Sequence, residues 1–261
     1  MYIVKTDPHT HTLISGHAFG TIGENARCAA ANGMEAISMS DHFSPHFLLL
    51  KDGAPPYSVT TNMDALPKVI EGVRVLASAE IDIVDHEGRL YGYNLIRTQN
   101  AESNVLKHLL DTRDVAIASV HGFDGSQSGT IAENTRMYIN AISTPGVQIL
   151  GHIGRAGLPF EIDTVLAAAK ERKKLIEINE HSFDFGEGVC TLCQQIAERC
   201  AELGASIVVS SDAHSPYMVG LFDRALQMLE KIHFPQALIA NATLATLLEA
   251  VADANQLDHF H

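Results

Sequence analysis

The chain has 261 residues and a formal net charge of −13, with 31 acidic residues against 18 basic ones. A hydrophobic fraction of 46% with 19% charged residues is typical of a globular protein and excludes a disordered chain. The acidic excess argues against binding to long nucleic acids and against attraction to anionic membranes, since both require basic surfaces. Because the sequence contains neither a long apolar segment nor a secretory signal pattern, we expect a cytoplasmic protein with no membrane association.

Short apolar segments predict seven buried strands. They are rich in Val and Ile and mostly apolar on both faces, as strands of a parallel sheet are. The predicted strands are 2–6, 36–40, 73–79, 115–120, 147–151, 175–179 and 206–210. Amphipathic segments predict helices between and after them, at 24–32, 130–142, 163–173, 189–203, 217–231 and 243–254.

The alternation of strands and helices predicts a parallel sheet with right-handed crossovers. About seven such units favour an α/β fold of the TIM-like (β/α) barrel type over an open, doubly wound sheet. No linker divides the chain, so we expect a single domain over residues 1–261. The irregular stretch 43–63, rich in proline, is expected to form a long loop over the site. The sequence is compatible with a homo-oligomer.

Fourteen histidines are the most unusual feature of the composition. Nearly every predicted strand is followed by a histidine or an acid, and in a barrel those strand ends share the face where catalytic residues lie. The residues in these positions are His9, His11, His17, His42, Glu80, His121, His152, Asp212 and His214. Imidazoles and carboxylates are ligands of Zn²⁺, Mn²⁺ and Fe²⁺, so the pattern predicts a metal centre.

His9 and His11 strengthen this prediction. In an extended segment, residues two positions apart project to the same side, so both imidazoles could reach one ion. The pair alone is a moderately specific signal, and the other strand ends make it a strong one.

The motifs resemble those of the PHP (polymerase and histidinol phosphatase) family, and within it the YcdX-like trinuclear-metal phosphatases. The opening motifs are Asp7-Pro8-His9-Thr10-His11-Thr12, His17 and Ser40-Asp41-His42. The later ones are Glu80, Ser119-Val120-His121-Gly122, His152, Glu177-Ile178-Asn179 and Ser211-Asp212-Ala213-His214. The resemblance extends over roughly residues 2 to 235 and implies a distorted seven-stranded (β/α) barrel.

The resemblance also implies three divalent metal ions, with zinc expected and manganese or iron as alternatives. The first ion would be held by His9, His11, Glu80 and Asp212. Glu80 would bridge to a second ion, completed by His121 and His152. The third ion would be held by His17, His42 and His214.

Such a centre predicts a phosphoric ester hydrolase, a metal-dependent phosphatase that acts on a small phosphate ester through a metal-bridged hydroxide. Three divalent ions and two carboxylates would give a formal charge of about +4, which explains how an acidic protein could bind an anionic substrate. Glu80 and Asp212 would position the metals and the water, and Asp212 or His214 could protonate the leaving group. Three further side chains are candidates for substrate contacts: Arg155, His46 and His181.

Three other functions stay open at this point. The same centre could hydrolyse a phosphodiester such as a small cyclic phosphate or a nucleotide. A metal-dependent amidohydrolase also uses a His-x-His pair and a final Asp, but it commonly needs a lysine at a middle strand end, and none occurs there. A non-catalytic metal-binding module would be expected to have lost some of the nine ligands.

Overall fold

A computed structural model describes residues 2–47, 65–97 and 100–258. Within these ranges seven parallel strands form a nearly closed barrel, in the same order in space as in the sequence. The barrel strands are β1 (Thr6–Thr10), β2 (Ala36–Met39), β3 (Val73–Asp82), β4 (Val115–Ser119), β5 (Ile149–Leu150), β6 (Leu175–Asn179) and β7 (Ile207–Ser210). The predicted α/β barrel is therefore confirmed.

The barrel closes between its first and last strands. Thr10 and Ala213 form a parallel bridge, and the His11 N–H donates to the Ala213 carbonyl at 2.9 Å. The Asp212 N–H donates to the His9 carbonyl at 3.0 Å. These bonds bring the two ends of the sequence together at the carboxyl end of the barrel.

Seven helices accompany the strands in the described part of the chain. They are α1 (Ile22–Ala31), α2 (Val105–Asp111), α3 (Ile131–Ile142), α4 (Ile162–Glu171), α5 (Glu187–Leu203), α6 (Asp223–Lys231) and α7 (Leu244–Asp258). Capping boxes start α1 and α3, where Thr21 pairs with Glu24 and Thr130 with Glu133. Buried apolar side chains from these helices and from the outer faces of the strands form the core, whose largest member is Tyr138.

The structure differs from several of the predicted elements. The first strand occupies Thr6–Thr10 rather than 2–6. Its side chains are buried but mostly polar, so this segment lacks the apolar pattern from which a buried strand is predicted. Helix α6 begins at Asp223 rather than 217, since Pro216–Met218 forms a 3-10 turn and Gly220 has a φ of +75°. Helix α2 was not predicted.

Short extended segments complete the described structure. His42–Phe43 pairs in parallel with β3, and Val69–Ile70 pairs with it antiparallel. Ile96–Arg97 and Asn100–Asn104 pair with each other. The predicted loop 43–63 therefore begins with a strand residue, and its part beyond residue 47 lies outside the described residues. No helix in the described ranges is both long enough and apolar enough to cross a membrane.

Asn241 hydrogen-bonds both β1 and β7 at the seam where these two strands close the barrel. Replacing it tests how much this seam contributes to stability. The buried Asn241 amide donates to the carbonyls of Thr6 and Val209 at 2.8 and 2.7 Å, and its oxygen accepts from the Val209 N–H at 2.9 Å. Replacing Asn241 by Ala leaves these backbone groups buried without partners. We expect the free energy of unfolding in urea to fall by about 2–4 kcal/mol.

Asn140→Ala is the matched control, because this exposed amide makes one bond, to the Glu87 carbonyl at 3.0 Å. Its loss should lower the free energy of unfolding by less than about 1 kcal/mol. Equal effects of the two substitutions would contradict the role of Asn241.

Candidate metal centre

The seven histidines and two acids predicted as metal ligands lie together at the carboxyl end of the barrel. His9 belongs to β1 and Glu80 to β3, and the others come from the segments that follow the strands or from the short strand His42–Phe43. Glu80 lies two residues before the end of β3, not at its end as predicted. Six of the nine are buried: His9, His11, His42, Glu80, His152 and Asp212.

The first predicted group is compact. The Nε2 atoms of His9 and His11 are 3.0 Å apart. They lie 3.3 and 3.6 Å from Glu80 Oε2, and 3.5 and 3.0 Å from Asp212 Oδ1. A tetrahedral ion with bonds of about 2.0–2.2 Å separates its ligand atoms by about 3.3–3.6 Å. The Nε2 atoms of His9 and His11 and Oε2 of Glu80, which are 3.0–3.6 Å from one another, come close to this spacing.

Glu80 also joins the second group. Its Oε1 lies 2.7 Å from His152 Nε2 and 3.4 Å from His121 Nε2. Its Oε2 lies 2.8 Å from His42 Nδ1. One carboxylate therefore faces both neighbouring groups, as a bridging ligand must.

The third group consists of packed imidazole rings. The ring centroid of His17 is 5.0 Å from that of His42 and 4.5 Å from that of His214. His11 lies among them as well, because ring nitrogens of His11, His42 and His214 all lie within 4.8 Å of one another. The first and third groups are thus adjacent.

Hydrogen bonds fix the orientation of five rings. Each ring donates from Nδ1, which leaves Nε2 available to the cluster. The five pairs are His9 with Glu177 at 2.6 Å, His11 with Ser15 Oγ at 2.9 Å, His17 with the Ser15 carbonyl at 3.0 Å, His121 with Asp82 at 2.7 Å and His214 with the Asp212 carbonyl at 2.9 Å. Metal-ligating histidines usually have such an acceptor, which fixes the tautomer and the ring direction.

Two of these acceptors, Glu177 and Asp82, were not predicted as site residues. Glu177 accepts from His9, from Ser210 Oγ at 2.6 Å and from the His152 N–H at 2.7 Å, so it connects three strands. Asp82 lies two residues after Glu80 in β3, and the alternation of side chains along a strand could have identified it.

Several buried polar atoms of the cluster lack a hydrogen-bond partner among the described residues. They are both ring nitrogens of His42, Oε2 of Glu80 and Nδ1 of His152. His42 Nδ1 and Glu80 Oε2 lie 2.8 Å apart, but their alignment does not form a hydrogen bond. Buried polar atoms without partners are rare in folded proteins and indicate an additional ligand. Together with the donor set and its spacing, these atoms fit divalent metal ions.

The electrostatic surroundings of most of these groups favour the protonation state that binds a metal ion, a charged carboxylate or a neutral imidazole. Burial alone raises the pKa of Glu80, but the surrounding histidines outweigh it and hold the pKa well below its usual value. Burial lowers the pKa of His214 to about 4 and that of His11 well below its usual value, so both rings are neutral at pH 7. His9 is the exception: burial lowers its pKa, but Glu177, Asp212 and Glu80 together raise it well above the usual range.

Two residues of the cluster have unusual backbone conformations. Asp212 has a φ of 54° and His152 a φ of 28°, a region that favours glycine. Such strain costs roughly 1–3 kcal/mol and occurs mostly at functional sites. In both positions it turns the chain directly after a barrel strand.

A cavity of about 460 Å³ opens beside the cluster. Arg155 and His181, two of the predicted substrate contacts, line it. His46 does not line it among the described residues, because its Nε2 bonds the Gly122 carbonyl at 3.0 Å, and the neighbouring Phe47 lines the cavity instead.

Residues 7–181 match the family model of the PHP domain. The chain belongs to the PHP domain family. A probable phosphatase of Caldanaerobacter subterraneus subsp. tengcongensis is 40% identical, over 91% of this chain and 87% of the relative. A probable phosphatase of Thermoanaerobacter sp. is 39% identical, over 93% of this chain and 92% of the relative.

Solved structures show that the fold of this PHP protein is shared at low identity. Histidinol phosphate phosphatase from Lactococcus lactis, in complex with zinc, L-histidinol and phosphate, has a TM-score of 0.55 at 16% identity and covers 88% of this chain and 94% of its own. A chain from archaeal ribonuclease P with mature tRNA has a TM-score of 0.56 at 10% identity and covers 97% of this chain and 92% of its own. At these identities the likeness concerns the fold alone.

Glu177→Gln tests the hydrogen bonds that orient the predicted ligands. Glutamine has one acceptor oxygen where glutamate has two, and its other terminal atom is an NH2 donor. The NH2 group must therefore face either the His152 N–H or the His9 ring N–H, and the hydrogen bond to that donor is lost. We expect zinc to bind about 10–100-fold more weakly, measured by competition with a chelator.

Glu187→Gln removes the charge of an exposed carboxylate in α5 and serves as the control. It should leave the affinity for zinc unchanged. An unchanged affinity in Glu177→Gln would contradict a role for this carboxylate in orienting ligands.

Proposed function

We propose that this PHP protein is a metal-dependent phosphatase that hydrolyses a small phosphate monoester. The main support is the cluster of seven imidazoles and two carboxylates, whose ligand atoms lie at spacings suited to divalent ions. The relatives that carry the name probable phosphatase match nearly the whole chain, which supports the same activity.

Three divalent ions, zinc first and manganese or iron as alternatives, would be held by the three predicted groups. When bound, they would supply Lewis-acid activation of water and neutralise the charge of the phosphate. Glu80 would join the first two groups, because its two oxygens face different histidines.

The chain's own residues have distinct tasks in this proposal. Asp212 Oδ1 faces His9 and His11, while its Oδ2 accepts from Arg155 at 3.0 Å and from Asn179 at 3.2 Å. This carboxylate is therefore held in place on both sides, and it would position the attacking water. His214 lines the cavity and is placed to contact the leaving group.

Arg155 is the candidate for a direct contact with the phosphate. Its guanidinium lies at the cavity wall, and only one of its N–H groups bonds Asp212 Oδ2. The remaining donors can reach a phosphate oxygen, a geometry for which the planar guanidinium is well suited. His46 would act through the Gly122 segment, whose carbonyl it bonds.

Asp212→Asn and His9→Ala test the proposal, because each removes a ligand atom of the first group. Protein purified without chelator should contain more than one transition-metal ion per chain by elemental analysis. Hydrolysis of an aryl phosphate monoester should fall about a thousandfold in each variant, and metal content should fall in His9→Ala. A bis-aryl phosphodiester, measured alongside, distinguishes monoester from diester hydrolysis.

His233→Ala is the control, since this exposed histidine follows α6 and lies outside the nine predicted ligands. It should retain both the metal and the activity. A metal-free protein with full activity, or undiminished turnover in either ligand variant, would refute the proposal.

A further inference from the structure

One wall of the cavity adjoins the metal cluster, since Arg155 bonds Asp212 at 3.0 Å and the ring centroid of His181 lies 5.8 Å from that of His214. This wall is formed by the segments after β5 and β6 and contains Arg155, His181 and Phe185. The ester group of a phosphate bound at the cluster can contact this wall. Its chemistry therefore bears on the leaving group that the enzyme accepts.

His181 is held in a fixed orientation. Its Nδ1 lies 3.0 Å from Asp184 Oδ2, and Asp184 accepts from Arg224 at 2.6 Å. Arg224 also donates to Glu180 at 2.7 Å, and Glu180 accepts from the Ala225 N–H in the first turn of α6. The ring is therefore anchored through two acids and an arginine to a helix.

This anchoring leaves one ring nitrogen for a ligand. The Arg224 guanidinium keeps the pKa of Asp184 below its usual value, so the carboxylate only accepts, and Nδ1 of His181 carries a proton. Nε2 has no hydrogen-bond partner among the described residues, and the ring lines the cavity. Nε2 is therefore open to a hydrogen bond with a ligand hydroxyl group, which can both donate and accept.

Charge restricts the ligand further. Arg155 is the only permanently charged cation among the described residues that line the cavity, and it already pairs with Asp212 at 3.0 Å. The Asp184 carboxylate lies directly behind His181. Because Arg155 is committed to Asp212 and, in the function proposed above, to a phosphate oxygen, a second negative charge on the leaving group would meet no further permanent cation among the described lining residues. An uncharged leaving group therefore fits better.

Size and shape agree with a small leaving group. The cavity of about 460 Å³ must hold the phosphate as well. Phe185 is 53% exposed and forms an apolar surface beside His181, with ring centroids 5.4 Å apart. The Arg155 guanidinium covers this ring at 5.1 Å from its centroid.

We propose that the substrate is the phosphate monoester of a small, uncharged, hydroxyl-bearing alcohol, and that His181 Nε2 hydrogen-bonds to that hydroxyl. Phe185 would contact the carbon skeleton of the same group. This inference rests on the proposed phosphatase function and adds the class of leaving group. His181 would then be a specificity residue, separate from the nine predicted ligands.

Three phosphate esters with a three-carbon skeleton and different polar groups test the proposal. Glycerol 1-phosphate carries the hydroxyl groups, propyl phosphate lacks them, and 3-phosphoglycerate carries a carboxylate. With the metal-loaded protein, we expect kcat/KM for glycerol 1-phosphate to exceed that for each of the other two about tenfold, mainly through KM.

His181→Phe keeps a ring against Phe185 and removes both nitrogens. It should reduce the preference for glycerol 1-phosphate over propyl phosphate from about tenfold to about one, while zinc content and the far-UV circular dichroism spectrum stay unchanged. His233→Phe, at an exposed position outside the cavity, should retain the preference of the unmodified protein.

Equal kcat/KM values for the two esters in the unmodified protein, or the same preference in His181→Phe, would overturn the inference. In both cases hydrolysis of an aryl phosphate would continue, so the proposed function would stand. Loss of all ester hydrolysis in the metal-loaded protein would instead overturn the proposed function, and this inference with it.

Discussion

The site depends on one buried carboxylate, that of Glu80. Side-chain nitrogens of four histidines lie within 3.4 Å of its two oxygens, and the side chain has no exposed surface. An isolated carboxylate cannot be buried in this way, because the cost of removing it from water is several kcal/mol. Glu80 is therefore compatible with the fold only when the surrounding groups, or the cations they would bind, compensate its charge.

Barrel closure makes this compensation possible. The backbone bonds between the segments of His9 and Asp212 join residues that are about two hundred positions apart in the sequence. They bring the Asp212 carboxylate to 3.5 and 3.0 Å from the imidazoles of His9 and His11, which Glu80 also contacts at 3.3 and 3.6 Å. Stability and function are consequently linked at the seam, where the strained backbone of Asp212 is also located.

The sequence predicted the barrel and the gathering of the nine polar residues because both follow from one regularity, a histidine or an acid near the end of nearly every buried strand. It did not reveal β1 correctly, because Asp7, His9 and Thr10 are polar although they are buried. The roles of Glu177 and Asp82 were also missed. Alternation along β3 places Asp82 on the same face as Glu80 and is a signal that was available. The histidine that each acid orients becomes visible only when distant strands are brought together.

The candidate metal cluster and the wall that would select the ester adjoin each other but are held in different ways. The cluster is held by strands and by hydrogen bonds between strands, which fix its atoms within a rigid barrel. The wall contains Arg155, which bonds Asp212 of the cluster, and residues of the segment Glu180–Phe185, which Arg224 anchors to α6. Substitutions in this segment can therefore alter the shape and polarity of the cavity while the cluster keeps its geometry. The nine predicted ligands alone therefore do not identify the substrate.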